Sequence, residues 1–442
     1  MADKQESKII NRWIIVIGAI MIQLALGAIY AWSAFTTPLQ GTEEIASEFA
    51  FNKTQTQAIF SAGLATFAIF TIIGGRLSKR FGPRKIALIG GIVLGIGYIS
   101  SGLVGANFPL KLICIGLLGG AGIGLAYVVP IAVGVKWFPD KKGLVSGLAV
   151  AGFGFGAFIW ILMARPPSVL GFNGLIIPEN GIYTIANVDS TFQLYGIAFL
   201  ILVVIGSLVM INPPSNWKPK GWNPTKELQD DKNITKSLLP IQMLKTKQFY
   251  LLWLMFCIGA LAGLMVIGNI QNFAKHPVDG FMGSGFSTVE TIDFAVIGAA
   301  VCLPIFNGIG RIVWGQISDK VGRRKALLSM FLFQGITMII FFYTTSNPFI
   351  FYIFAALIGF NFGGNFALFP AATADSFGAE NVGLNYGLVF TSYGVGGIVG
   401  PILAGAVQDA GMSFLYAFIP AAIMCFVAAV LALVYKNELI NK

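Results

Sequence analysis

Gly75-Arg76-Leu77-Ser78-Lys79-Arg80-Phe81-Gly82 and Gly315-Gln316-Ile317-Ser318-Asp319-Lys320-Val321-Gly322 are two copies of one pattern, 240 residues apart. Glycine opens and closes each copy, and the third and fourth places hold a branched aliphatic residue and serine. The same offset relates Gly119 and Pro130 to Gly359 and Pro370. It also relates Gly143, Gly147, Gly154 and Gly156 to Gly383, Gly387, Gly394 and Gly396. Three separated motifs sharing one gapless offset indicate an internal duplication.

The material between the motifs is apolar. Hydrophobic residues make up 56% of the 442-residue chain and charged residues 11%, against roughly 25% charged in a soluble domain, and the mean hydropathy is +0.78. Such a surface is solvated by lipid. Stretches of about 20 apolar residues cross the hydrocarbon layer, and twelve are found. They lie near 12 to 39, 54 to 77, 86 to 105, 110 to 135, 142 to 163, 192 to 211, 248 to 273, 291 to 314, 326 to 345, 348 to 370, 382 to 407 and 412 to 435. Backbone in lipid must satisfy its own hydrogen bonds, so helices are required. The expected fold is an all-α membrane protein of twelve transmembrane helices in two pseudo-symmetric six-helix bundles, 1–211 and 248–442, joined by a linker over 212–247. Six is even, so the copies share an orientation, and such parallel repeats place a substrate site between them near the midplane.

The charge follows the membrane. The net charge is +10, and most of the 29 Lys and Arg fall on the side of both termini, with Lys53, Lys111, Arg165 and Lys275 opposite. By the positive-inside rule both termini are cytoplasmic, in a multi-pass protein of the cell membrane. Nucleic-acid binding is not expected from this distribution. The first apolar run lacks a short h-region with a cleavage site, so the first helix is expected to stay in the protein. Cys114, Cys257, Cys302 and Cys425 stand at unrelated spacings inside apolar stretches, which indicates neither a disulfide framework nor a metal site. Neither a nucleophile with its base nor a phosphate loop is present, and no cofactor or enzymatic activity is expected.

The repeated turn resembles the signature found between helices 2 and 3 and helices 8 and 9 of the major facilitator superfamily. Within it the chain looks like the oxalate:formate antiporter family, with relatives among monocarboxylate carriers. That resemblance rests on Asn11-Arg12-Trp13, Tyr30-x-Trp32-Ser33, Lys136-Trp137-Phe138-Pro139-Asp140-Lys141-Lys142-Gly143 and Asn385-Tyr386-Gly387. It implies a gating role for Gly75, Lys79, Gly82, Gly315, Asp319, Gly322 and Arg323, with Asp319 as an acceptor that locks the halves together. Lys79 occupies the acidic place in the first copy, so the lock is expected to differ there.

Arg311 is the one charge that topology does not explain. It lies eight residues before Asp319, about 12 Å deeper at 1.5 Å per residue. An arginine at that depth costs on the order of 3 kcal/mol to insert and grips a carboxylate through two parallel hydrogen bonds. The resemblance implies the same role for an arginine at this point of helix 8. The alternative is a structural arginine that snorkels or caps carbonyls. Asn307, one turn earlier, and Tyr393, Tyr127, Tyr30, Asn361 and Asn365 are candidate neutral donors.

Two departures bear on the substrate. Oxalate carriers of the resembled family place a lysine where this chain has Tyr393, so a monocarboxylate is favoured over oxalate. Animal monocarboxylate carriers tend to have an aspartate where this chain has Asn307. No Asp or Glu lies in the middle of a span, and the sole histidine, His276, falls in an outer loop. The expected function is secondary transport of a small organic carboxylate such as formate, lactate, pyruvate or acetate, by anion exchange or proton symport. An oxalate:formate exchanger and a carboxylate-sensing transceptor are the alternatives. The expected partners are that substrate and the lipid bilayer, with the chain acting as a monomer.

Overall fold

A computed structural model describes residues 11–41, 45–164, 174–214, 217–219, 237–276, 278–378 and 380–436. Much of the expected linker and the first part of the outer loop, with Arg165, lie outside these residues. Among the described residues, twelve helices are long and apolar enough to cross a membrane. They are α1 (Arg12–Gln40), α2 (Gln55–Phe81), α3 (Pro83–Ser101), α4 (Phe108–Trp137), α5 (Gly143–Ala164) and α6 (Ile185–Ser207). The second set is α7 (Lys247–Ala274), α8 (Asp293–Val321), α9 (Arg323–Ser346), α10 (Pro348–Phe377), α11 (Val382–Val407) and α12 (Leu415–Val434).

Helix ends correct the sequence reading in two places. The signature expected to follow α2 and α8 is helical itself, and the chain leaves the helix only at Gly82 (φ +91°) and Gly322 (φ +87°). Those angles favour glycine, which lacks the Cβ that clashes there. Polar residues in the motif hid these turns from a hydropathy scan, because they face the other bundle and water. Similarly, α6 begins at Ile185, not near 192. Asp189 lies in its first turns, where a 2.6 Å ion pair to buried Lys111 removes both from solvent.

Each bundle closes on itself, α2 on α4 and α3 on α6 in the first, α8 on α10 and α7 on α11 in the second. The bundles meet where α5 packs on α8 and α2 on α11. Two of these contacts exchange under the 240-residue offset. A Cβ on Gly75 would lie 2.5 Å from the Gly383 carbonyl oxygen, and one on Gly315 would lie 2.5 Å from that of Gly143. Only glycine allows helices so close. Both contacts lie on the face that carries the termini, and they seal it.

The opposite face is open. A vestibule of about 540 Å³ enters there between the ends of α1, α2, α7 and α11, lined by Thr36, Gln40, Gln57, Ser61, Asn269 and Asn272 among others.

Candidate functional site: Arg311 at the bundle interface

The helix of α1 tightens to a 3-10 stretch over Gly27–Trp32, where Gly27 approaches the Phe153 carbonyl of α5 so closely that a Cβ would sit 2.1 Å from its oxygen. Such a break is common at functional positions. It carries Tyr30, whose Oη shares a 2.8 Å hydrogen bond with Tyr393 Oη of α11. This bond joins the two bundles. Tyr30, with Ser33 and Ile267, also lines the narrow space that runs from below the vestibule to Asn307.

Arg311 lies beyond, on α8, with 0% of its surface exposed. Gly322 ends the helix eleven residues later, which puts Arg311 about 16 Å along the axis from that end. Its Nε donates to Asn307 Oδ1 at 2.9 Å, and its Nη1 donates to the Val150 carbonyl of α5 at 2.8 Å. Nη2 has no partner. Phe366 and Phe153 cover the guanidinium, with ring centroids 4.2 and 5.2 Å from Cζ. Cation–π contacts of this kind are worth about 2 kcal/mol when desolvated, which offsets only part of the burial of a charge. The unpaired Nη2 is therefore an open donor in a fully buried place.

Phenols surround it. The electrostatic neighbours of Arg311 are Tyr127, Tyr30, Tyr386 and Tyr393, all at most 5% exposed. The Tyr127 and Tyr386 hydroxyls face each other at the edge of hydrogen-bond reach, and neither makes a well-formed hydrogen bond. Gln23 of α1 donates to the Tyr127 carbonyl at 3.1 Å and fixes that turn of α4.

Of the residues singled out from sequence, Arg311, Asn307, Tyr30, Tyr127 and Tyr393 come together. Asn361 and Asn365 make no hydrogen bond to Arg311. Asn365 donates to the Phe362 carbonyl and points at Gly259 of α7, and Asn361 makes no hydrogen bond. The α10 side chains that do face the centre are Phe362, 5.9 Å from Tyr30, and Phe366. Tyr386 was missed as a site residue, although its seven-residue spacing from Tyr393 places both on one face of α11.

The predicted gating residues sit on the sealed face. Asp319 accepts from the backbone N–H of Gly143 at 3.2 Å and of Leu144 at 3.0 Å, so a carboxylate of one bundle caps the N-terminus of a helix in the other. Arg323 holds it, bonding Asp319 at 2.7 Å and Asp375 at 2.8 Å. In the first copy Lys79 donates to Asn381 Oδ1 at 2.7 Å, just before α11. A neutral amide there does what a helix N-terminus cannot do for a cation.

Twelve membrane-spanning helices in two bundles, closed at one face and open at the other over a buried cation, define a two-bundle membrane transporter. The chain belongs to the Major Facilitator Superfamily, whose sequence model matches residues 15–289 and 280–439. It is similar to an oxalate:formate antiporter of Oxalobacter formigenes, 27% identical over 96% of this chain and 91% of that one. It is also similar to an uncharacterized MFS-type transporter, YhjX, of Escherichia coli strain K12, at 27% over 88% and 86%. Apicoplast pyruvate carrier 1 of Toxoplasma gondii is 25% identical over 86% and 81%. Among solved structures, the fold matches FucP in the outward conformation with a TM-score of 0.64, at 16% identity over 96% of this chain and 99% of that one. The proton:xylose symporter XylE matches at 0.67, with 15% identity over 96% and 94%.

Proposed function

We propose that the protein is a secondary carrier of a small organic monocarboxylate, working by alternating access around Arg311, in a cell membrane with both termini cytoplasmic. The observation that carries this reading is the unpaired Nη2 of a fully buried Arg311 beside two unpaired phenols. A carboxylate supplies the acceptors that all three donors lack and neutralises the guanidinium. The names of two relatives, an oxalate:formate antiporter and a pyruvate carrier, agree in substrate class. With Tyr393 where a second cation would stand, one negative charge is matched, which disfavours oxalate.

Exchange of one anion for another is favoured over proton symport. Among the described residues, Asp189 is held by Lys111, and Asp319 and Asp375 by Arg323. Among the described residues, no carboxylate is bonded to Arg311, so no acidic side chain described there exchanges a proton against the bound substrate. Uptake of labelled formate or acetate into proteoliposomes tests the reading. Arg311→Gln should lower uptake 100-fold or more, a loss of about 3 kcal/mol in binding. Arg311→Lys should rescue little, because an ammonium lacks the planar fork. Unchanged affinity and rate in Arg311→Gln would sink the assignment, and binding without flux in the parent protein would favour a sensor.

A further inference from the structure

The two halves contribute unlike chemistry to the site. Under the 240-residue offset, Asn307 corresponds to Phe67, Tyr393 to Phe153 and Arg311 to Thr71. The second bundle thus holds the guanidinium and its amide, while the first presents phenyl rings at the matching places. Thr71 adds no polar group to the centre, because its hydroxyl donates to the Phe67 carbonyl of its own helix at 2.8 Å.

Those rings are buried and continuous. Phe67 and Phe153 are at most 1% exposed. The Phe67 centroid lies 4.9 Å from Tyr127, 5.0 Å from Phe390, 5.6 Å from Tyr393 and 6.1 Å from Phe153. Phe153 in turn lies 4.9 Å from Tyr30 and faces Arg311. Among the described residues, no second cation contacts these rings.

We infer that the carried molecule is a monocarboxylate whose remaining atoms are apolar, held across the interface with its carboxylate on Arg311 and its tail against Phe67 and Phe153. The inference rests on the carboxylate reading of Arg311 and sorts the substrates within it. The free donors, Nη2 and the Tyr127 and Tyr386 hydroxyls, are used by one carboxylate. A hydroxyl on the tail, set against the Phe67 and Phe153 rings, would have to draw on the Tyr30–Tyr393 hydroxyl pair or go without a partner, at a cost of tenfold or more in affinity. A second carboxylate would be a buried, uncompensated charge and costs far more. Each methylene set against the rings strengthens binding by about fourfold.

The test uses the full-length carrier in proteoliposomes, with labelled formate as the tail-less reference. Propionate should compete at least tenfold better than lactate, which differs from it by one hydroxyl, and at least 100-fold better than malonate. Phe67→Ser should raise the ratio of the propionate KM to the formate KM about tenfold, and Phe67→Leu should raise it less. Lactate or malonate matching propionate on the parent protein would overturn the inference whatever the variants do. So would an unchanged KM ratio in Phe67→Ser. If Arg311→Gln abolishes uptake of every acid while the tail order fails, the inference falls alone. If Arg311→Gln transports formate as the parent does, the carboxylate reading fails first and takes the inference with it.

Discussion

Asn307 decides what Arg311 has left to offer. Its Oδ1 accepts a hydrogen bond from Arg311 Nε–H at 2.9 Å as a neutral group, so the positive charge stays available. Asn307→Asp changes only the charge of that acceptor. A carboxylate at this distance would pair with the guanidinium inside the protein, and an incoming anion would have to compete with it. Uptake at neutral pH should fall tenfold or more while the purified variant melts no lower than the parent, since the added pair compensates both charges. Parent-level uptake in Asn307→Asp would mean that substrate does not meet Arg311 as a free cation. Arg311 and Asn307 were legible in the sequence because a lone charge deep in an apolar stretch costs several kcal/mol, and an amide one turn away shares its face. The aromatic wall was not legible. Phe67, Phe153 and Phe366 are unremarkable in a membrane helix, and only packing reveals that Phe153 and Phe366 face one guanidinium and that Phe67 packs on Phe153 behind it. Asn361 and Asn365 make no hydrogen bond to Arg311: a polar residue in an apolar helix signals a need for a partner and not the direction in which it points.

At the level of helices, the duplicated motif is where sequence and structure agree in position and differ in form. Its spacing identified a contact between halves, yet hydropathy ended α2 and α8 too early, because the closing turns of each helix are polar on the face that meets the other bundle. The contact depends on backbone approach. Gly315 of α8 and Gly143 of α5 touch through main-chain atoms, and Asp319 one turn further on caps α5. Gly315→Val places a branched side chain where a single Cβ already lies 2.5 Å from the Gly143 oxygen. Backbone cannot yield there as a flexible side chain would, so the bundles must part on this face. The variant should lose transport by tenfold or more and still bind, because Arg311 lies a full turn away. A substrate-induced rise in melting temperature with no uptake is the expected pair of results, and normal turnover would remove the contact from the cycle.

For the whole molecule, the proposed alternating access makes the open vestibule and the sealed face on the termini side two ends of one equilibrium between the bundles expected over 1–211 and 248–442. The clasp holding the sealed face includes Lys79 to Asn381 and Asp319 to α5. Charge-assisted hydrogen bonds contribute about 1.5 to 3 kcal/mol each, and each 1.4 kcal/mol moves a two-state ratio tenfold. Removing both with Lys79→Ala and Asp319→Asn should therefore drain the vestibule-open state by at least tenfold. Gln57 lines that vestibule, whereas Cys114, Cys257 and Cys425 are buried. A Gln57→Cys reporter in a background carrying Cys302→Ser should react with a membrane-impermeant maleimide added outside intact cells. It should react about tenfold more slowly once the clasp is removed. Labelling from outside also tests the orientation, since reaction only in inverted vesicles would put the termini on the other side. Equal rates with and without the clasp would mean that glycine packing alone sets the equilibrium, and that Lys79 and Asp319 serve only the stability of their own helix ends.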